Sequence, residues 1–461
     1  MRRAVIVGAS LAGLYSAEAL RVGGFDGQLT IIGAEPHAPY DRPPLSKTVL
    51  TGRETTSNIE LPCTRDVQAT WMLGARAVDL DRSWRKVLLA DGRSVAYDAL
   101  LIATGARARP WPDHRQARLR GVHVLRERED ADRLRADLVE CTCRVLVIGG
   151  GFTGCEAASS CRDLGLPVTL VHPGPIPLSN TLGQLAGGIL AREIRAAGVD
   201  LRVATEVRAL VGDAEGKLTG AVLSNGDEID ADVAIVALGA VPNVEWLSHT
   251  GLLADARGLE CDAQCRALAA GGSAAESIYA AGDVTRWQHP LFDLGPARFE
   301  HWGNAAEQAR VAAHNMLATP AEHVTCDALP AFWSDQFGLN IKAIGVPAAA
   351  DQTAISQTSR DGRGCVAVYG RRGRLVGAVA IDYPRVLDGY AAMIRQGAAF
   401  PPKINATDAP ARINVVPTRL DARSPDTFAL PAALPSASTA STVGTMTPAR
   451  RKYDKAGTRD A

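Results

Sequence analysis

The stretch VLVIGGGFTGCE, residues 145–156, decides the fold. Its apolar run breaks into Gly149, Gly151 and Gly154, and an alanine-rich helical pattern follows. Strand, glycine turn, helix and second strand in that order make a βαβ unit that binds a dinucleotide. The second strand of this unit, in VTLVHPGPIP at 168–177, ends on His172. Its tip usually carries Asp or Glu, which accepts hydrogen bonds from the adenosine ribose. Here it carries an imidazole.

The same plan stands at the amino terminus. RAVIVG (3–8) and RVLVIG (144–149) open two similar units, so two nucleotide-binding domains are expected. The first turn reads Gly8-Ala9-Ser10-Leu11-Ala12-Gly13, with Ser10 where a middle glycine would admit a pyrophosphate. Glu35 follows a clean strand at the distance of a ribose ligand, and the helix start at 11–13 offers aligned N–H groups to phosphate. YDALLIATGA (97–106) is a strand ending in a Thr104-Gly105 turn, and ADVAIVALGAVPN (231–243), with Gly239, is its counterpart. SIYAAGDV (277–284) is another strand, ending in Gly282-Asp283, and a helix from about Trp302 to Leu317 follows.

Strands that recur after the second unit predict an insertion. The fold class is α/β, with two Rossmann-like domains: the first at 1–112 and 246–320, the second at 113–245 set into it. From 321 the pattern changes to short strands around a turn at Arg371 to Gly373, which predicts a small α+β domain ending near 415. Residues 416–461 are rich in Ser, Thr, Ala and Pro without a core-building period, so a disordered tail is expected.

Composition narrows the function. Lys plus Arg equal Asp plus Glu at 50 each, which argues against nucleic acid as a partner. No apolar run approaches the roughly 20 residues of a membrane helix. The amino terminus reads as a first strand rather than a signal peptide. The nine cysteines form no C-x-x-C pair, and their odd number fits reduced thiols in a cytoplasmic protein with no metal site.

Five longer stretches carry a family likeness: IIGAEPHAPYDRPPLSK (31–47), LLIATGARARP (100–110), IYAAGDV (278–284), RFEHWGNAAEQAR (298–310) and PAFWSDQFG (330–338). In this order the sequence resembles FAD-dependent ferredoxin reductases of the rubredoxin and putidaredoxin reductase type, from residue 3 to about 400. The resemblance implies FAD in the first domain, NADH or NADPH in the second and a third domain helping to cover the flavin. It implies electrons passing to a small iron–sulfur ferredoxin that serves a cytochrome P450 or another oxygenase. By resemblance Lys47 approaches the reactive flavin edge, and Glu156 pairs with it and meets the nicotinamide. Arg42 faces the cofactor, Asp283 holds the ribityl chain, and Trp302 opens a helix toward the flavin pyrimidine. Trp333 shields a ring face, while Ala77, Thr104 and Arg126 line the FAD site.

Disulfide reductases of this architecture need a redox cysteine beside the flavin, and the PPLSK region has none. Electrons would therefore leave the flavin directly, singly, after arriving as a hydride. Arg298, Arg310 and the arginine-rich run 107–135 are candidates to face an acidic ferredoxin, although Glu127, Glu129, Asp130 and Asp132 compensate that run. At His172 three readings stand open: relaxed or NADPH-leaning specificity, weak NADH use, or a lost nicotinamide reaction. Pro173, Gly174 and Pro175 follow it without an arginine, and Ser179-Asn180 occupy the region of the family's nearby arginine. Two other functions compete: a flavin-dependent oxidase or dehydrogenase of a small biosynthetic substrate, and a redox-sensitive flavin-binding interaction protein.

Overall fold

The computed structural model describes residues 1–140, 143–359, 364–383, 386–403 and 415–417. The strand Arg3–Val7 is buried from Ala4 onward, as a central parallel strand covered on both faces must be. Around it the order is Ala274–Ala280, Ala99–Ile102, Arg3–Val7, Gln28–Ile32, Ala69–Met72, all parallel. The second sheet repeats this plan: Val122–Val124, Val233–Val236, Val145–Ile148, Val168–Val171, Asp200–Arg202, again all parallel. Each sheet also has an antiparallel three-stranded companion, at 77–96 and 207–230. The internal echo in the sequence is thus an echo of topology.

The chain leaves the first sheet after Ala99–Ile102, builds the second, and returns to pair Ile278 with Leu100. The second domain is inserted in the first. The outgoing and returning segments, Ala106–Ala108 and Ala240–Pro242, pair antiparallel and form the neck.

The third domain is a six-stranded antiparallel sheet in the order Ala331–Gln336, Leu339–Gly345, Arg374–Ile381, Cys365–Arg371, Gln352–Thr358, Val415–Pro417. Its central hairpin turns at Arg372 and Gly373, both with positive φ (49° and 74°), as a two-residue hairpin loop of matching twist requires. The helix Leu387–Arg395 packs on this sheet. Val415–Pro417 pairs with Gln352–Ala354, so the sheet runs past 415 and takes in the first residues of the expected tail. Two β-branched residues followed by proline suit an edge strand. The rest of that tail lies outside the described residues. Among the described residues no helix is long and apolar enough to cross a membrane.

Candidate functional site

A cavity of about 870 Å³ opens where the parallel strands of the first sheet end, the place where open α/β sheets bind ligands. Two glycines make it. Gly8 has φ +128°, and a Cβ there would stand 2.0 Å from the Ala103 carbonyl oxygen. A Cβ on Gly13 would stand 1.9 Å from the Gly8 oxygen, so only glycine lets this helix close on the strand. The helix Leu11–Val22 begins at Ser10, whose hydroxyl makes no capping bond. The helix Trp302–Leu317 begins at His301, likewise without a side-chain cap. Both starts line the cavity, so two helix ends carrying unpaired N–H groups and positive dipole charge point at one space.

The cavity wall gathers most of the expected residues: Gly8, Ser10, Ala12, Glu35, Arg42, Lys47, Ala77, Thr104, Gly105, Arg126, Glu156, Gly282, Asp283, Trp302 and Trp333. Gly13 stands behind it as a packing residue. The polar members are paired. Arg42 holds Glu35 at 2.6 Å, and the Tyr40 hydroxyl donates to the other Glu35 oxygen at 2.5 Å. Arg126 holds Asp283 at 2.6 Å. Trp302 Nε1 donates to Asp41 at 3.1 Å, and burial pushes the Asp41 carboxyl above its ordinary range. Burial, with the Glu35 charge nearby, also raises Glu127. The Thr104 hydroxyl donates to the Asn243 carbonyl at 2.8 Å, which leaves its backbone facing the cavity. Trp333 is 42% exposed and stands at the rim, 6.3 Å from the Trp302 ring.

Lys47 and Glu156 meet across two domains. The Lys47 Nζ lies 2.7 Å from Glu156 Oε2, with side chains only 19% and 9% exposed. The Pro43–Ser46 helical turn delivers Lys47, and the second glycine turn delivers Glu156 on the helix Phe152–Asp163. Two serines join them. Ser46 Oγ donates to Glu156 Oε2 at 2.6 Å, and Ser334 Oγ donates to Oε1 at 2.5 Å. Neither serine was singled out in the sequence; Ser334 lies 178 residues from Glu156, beyond any local pattern. Phe152, His301 and Phe332 complete this wall, with Phe152 and Phe332 rings 4.8 Å apart. Burial lowers the His301 imidazole to about 4.

The remaining expected residues, Gly149, Gly151, Gly154, His172 and Gly239, are set apart from the cavity wall. A Cβ on Gly154 would come within 1.9 Å of the Gly149 oxygen, repeating the first turn. Gly151 opens onto free space. Gly239 lies in the neck, its carbonyl accepting from the Arg109 N–H at 2.9 Å. His172 follows the strand tip and folds back over the turn. Its Nδ1 accepts from the Gly150 N–H at 3.3 Å, and its ring is the nearest neighbour of both Gly150 and Gly174. Burial lowers its basicity, with a backbone contact at Ile176 acting the other way.

Several of the expected basic residues are paired in place. Arg298 pairs with Glu300 at 2.5 Å, Arg310 with Glu307 at 3.1 Å, and Arg107 with Glu245 at 2.6 Å. None of the described cysteines lines the cavity.

A family model described as pyridine nucleotide-disulphide oxidoreductase matches residues 2–309, and one described as reductase C-terminal matches residues 331–412. The sequence is 35% identical to rhodocoxin reductase of Rhodococcus erythropolis over 387 residues, 83% of this chain and 86% of that one. It is 37% identical to a ferredoxin–NAD(P)(+) reductase of Sphingomonas sp over 381 residues, 81% of this chain and 87% of that one. Among solved structures, the reductase in a covalent putidaredoxin reductase–putidaredoxin complex superposes with a TM-score of 0.79 at 29% identity, covering 86% of this chain and 93% of that one.

Proposed function

This chain belongs to the pyridine nucleotide-disulphide oxidoreductases, in their ferredoxin reductase branch, and we propose on that premise that it passes electrons from NAD(P)H through FAD to a small iron–sulfur ferredoxin. The ferredoxin would serve a cytochrome P450 or another oxygenase, working in a reducing cytoplasm that keeps the cysteines as thiols. The observation that carries this reading is the buried Lys47–Glu156 pair on the wall of a cavity that no described cysteine lines. A disulfide reductase needs a thiol relay at that wall; a ferredoxin reductase does not.

The family implies FAD and NAD(P)H, and the residues fit the first of these. The uncapped start of the helix Leu11–Val22 suits a pyrophosphate, Glu35 suits a ribose and Asp283 suits the ribityl hydroxyls. When bound, FAD takes two electrons as a hydride and gives them up one at a time. The chain's own residues prepare that exchange. The start of the helix Trp302–Leu317 favours negative charge on the cofactor by about 0.3–1 kcal/mol. Lys47 places a fixed cation beside the reacting edge, worth more in a buried wall than in water. Glu156 accepts from three donors, so it acts as a held acceptor rather than as a mobile base. Phe152, Phe332 and His301 exclude water from this wall, and Trp333 stands exposed at its rim.

For the nicotinamide cofactor, the geometry around His172 favours NADH. The Gly150 N–H occupies Nδ1 and burial disfavours the charged ring, so it brings no fixed charge to a 2′-phosphate. Arg202, beside it across the sheet, spends its guanidinium on Asp200 at 2.8 Å and Asp227 at 3.3 Å. With no carboxylate to accept from both ribose hydroxyls, NADH use is expected to be weak.

The function is tested by cytochrome c reduction with the FAD-loaded protein. The expected result is a rate with NADH that depends on added ferredoxin and saturates with it. A rate indifferent to ferredoxin, or flavin bleached by a small organic substrate and not by NADH, would favour the oxidase reading.

A further inference from the structure

We infer that Ser334 is a positioning residue for the hydride-transfer site, acting from the third domain through the carboxylate of Glu156; this rests on the reductase reading. The strand Ala331–Gln336 presents alternate residues Phe332, Ser334 and Gln336 to the helix Phe152–Asp163. That helix answers with residues one turn apart. Phe152 meets Phe332 at 4.8 Å between ring centres, Glu156 meets Ser334 at 2.5 Å, and the Ser159 hydroxyl accepts the Phe337 N–H at 2.7 Å. On its other side the same helix meets the first domain, where the Ser160 hydroxyl donates to the Ser46 carbonyl at 2.6 Å. Glu156 is therefore held by the first domain through Oε2 and by the third through Oε1.

The direction of these bonds is forced. A carboxylate only accepts, so the single Ser334 hydrogen must point at Glu156. The lone pairs of Ser334 are then free to accept, and Gln336 Nε2 donates to them at 2.9 Å. Ser334 is fully buried, so no water competes for its hydroxyl. With Ser334 in place, both carboxylate oxygens are fixed and Lys47 has one orientation to pair with. Without it, the carboxylate is pinned at Oε2 alone and its plane is free to turn, while the ionic pair and the dinucleotide turn stay intact. The consequence is a loss in transfer rate rather than in cofactor affinity.

The test is anaerobic stopped-flow reduction of the FAD-loaded protein by NADH, comparing wild type, Ser334→Ala, Glu156→Gln and the double variant. Hydrogen bonds to a charged group are worth enough that the limiting rate of Ser334→Ala is expected to fall about tenfold to a hundredfold. The NADH Kd from the saturation curve is expected to stay within about threefold, and Ser334→Ala is expected to cost nothing further in the Glu156→Gln background. Gln336→Leu, which leaves the Ser334 hydroxyl but removes its donor, is the second variant and is expected to lose rate in the same direction and by less. An unchanged limiting rate in both single variants, a loss confined to Kd, or an equal loss in the Glu156→Gln background would overturn the inference alone. A wild-type flavin that NADH does not reduce would overturn the reductase reading and this inference with it.

Discussion

At the scale of a residue, His172 shows how a position can be legible while its chemistry is not. The order of strand, glycine turn, helix and strand marks 172 as the tip where a ribose contact is expected. Whether the imidazole there is charged depends on the Gly150 N–H that fills Nδ1 and on a loop whose Leu178 N–H returns to the Gly150 oxygen at 2.9 Å. Restoring the carboxylate should restore two ribose hydrogen bonds. His172→Glu is expected to tighten NADH about tenfold, as one added charge-assisted bond of about 1.4 kcal/mol would, and to weaken NADPH. Equilibrium titration of the oxidised protein measures both. Tighter NADPH than NADH binding in the wild type would contradict the neutral, half-buried imidazole.

At the scale of an element, His301 precedes the helix Trp302–Leu317 with a ring that makes no capping bond and that burial lowers to about 4 from 6.5. Between those two values the unfolded chain carries a proton on this residue that the folded chain does not. Stability is therefore lost as pH falls through that window, by on the order of 2–3 kcal/mol from this group. Urea unfolding at pH 7 and pH 4 is expected to show a smaller loss for His301→Asn than for the wild type; equal losses would remove the imidazole from the account. The helix itself was legible, since its alanine-rich period and the preceding Gly-Asp strand end give it away. The state of the His301 imidazole was not, because it comes from burial in the assembled molecule, where Phe332 of another domain lies 5.0 Å away. The helix Ser179–Ala196 is similar. Its break at Gly183 (φ 75°) answers Tyr369, whose ring would stand 2.6 Å from a Cβ there and whose hydroxyl donates to the Leu182 carbonyl. No local spacing records that contact.

At the scale of the whole molecule, the neck at Ala106–Ala108 with Ala240–Pro242 joins two sheets of matching strand order, and the helix after the second glycine turn carries Glu156 into the cavity wall of the first domain. The repeated strand-and-glycine motifs made that arrangement readable, because each half is local in sequence. The third domain was readable as a domain, but its docking was not. Ser334, Gln336 and Phe337 reach the second domain's helix through a register that only the assembled chain defines. Three domains thus close on Glu156, and the proposed conversion of paired electrons into single ones rests on this closure. The most direct measurement is an anaerobic titration of the FAD-loaded protein, first with NADH and then with oxidised ferredoxin, following flavin absorbance. The account predicts full bleaching by one equivalent of NADH and full recovery with two equivalents of ferredoxin. Bleaching that ferredoxin cannot reverse, or no bleaching at all, would contradict it.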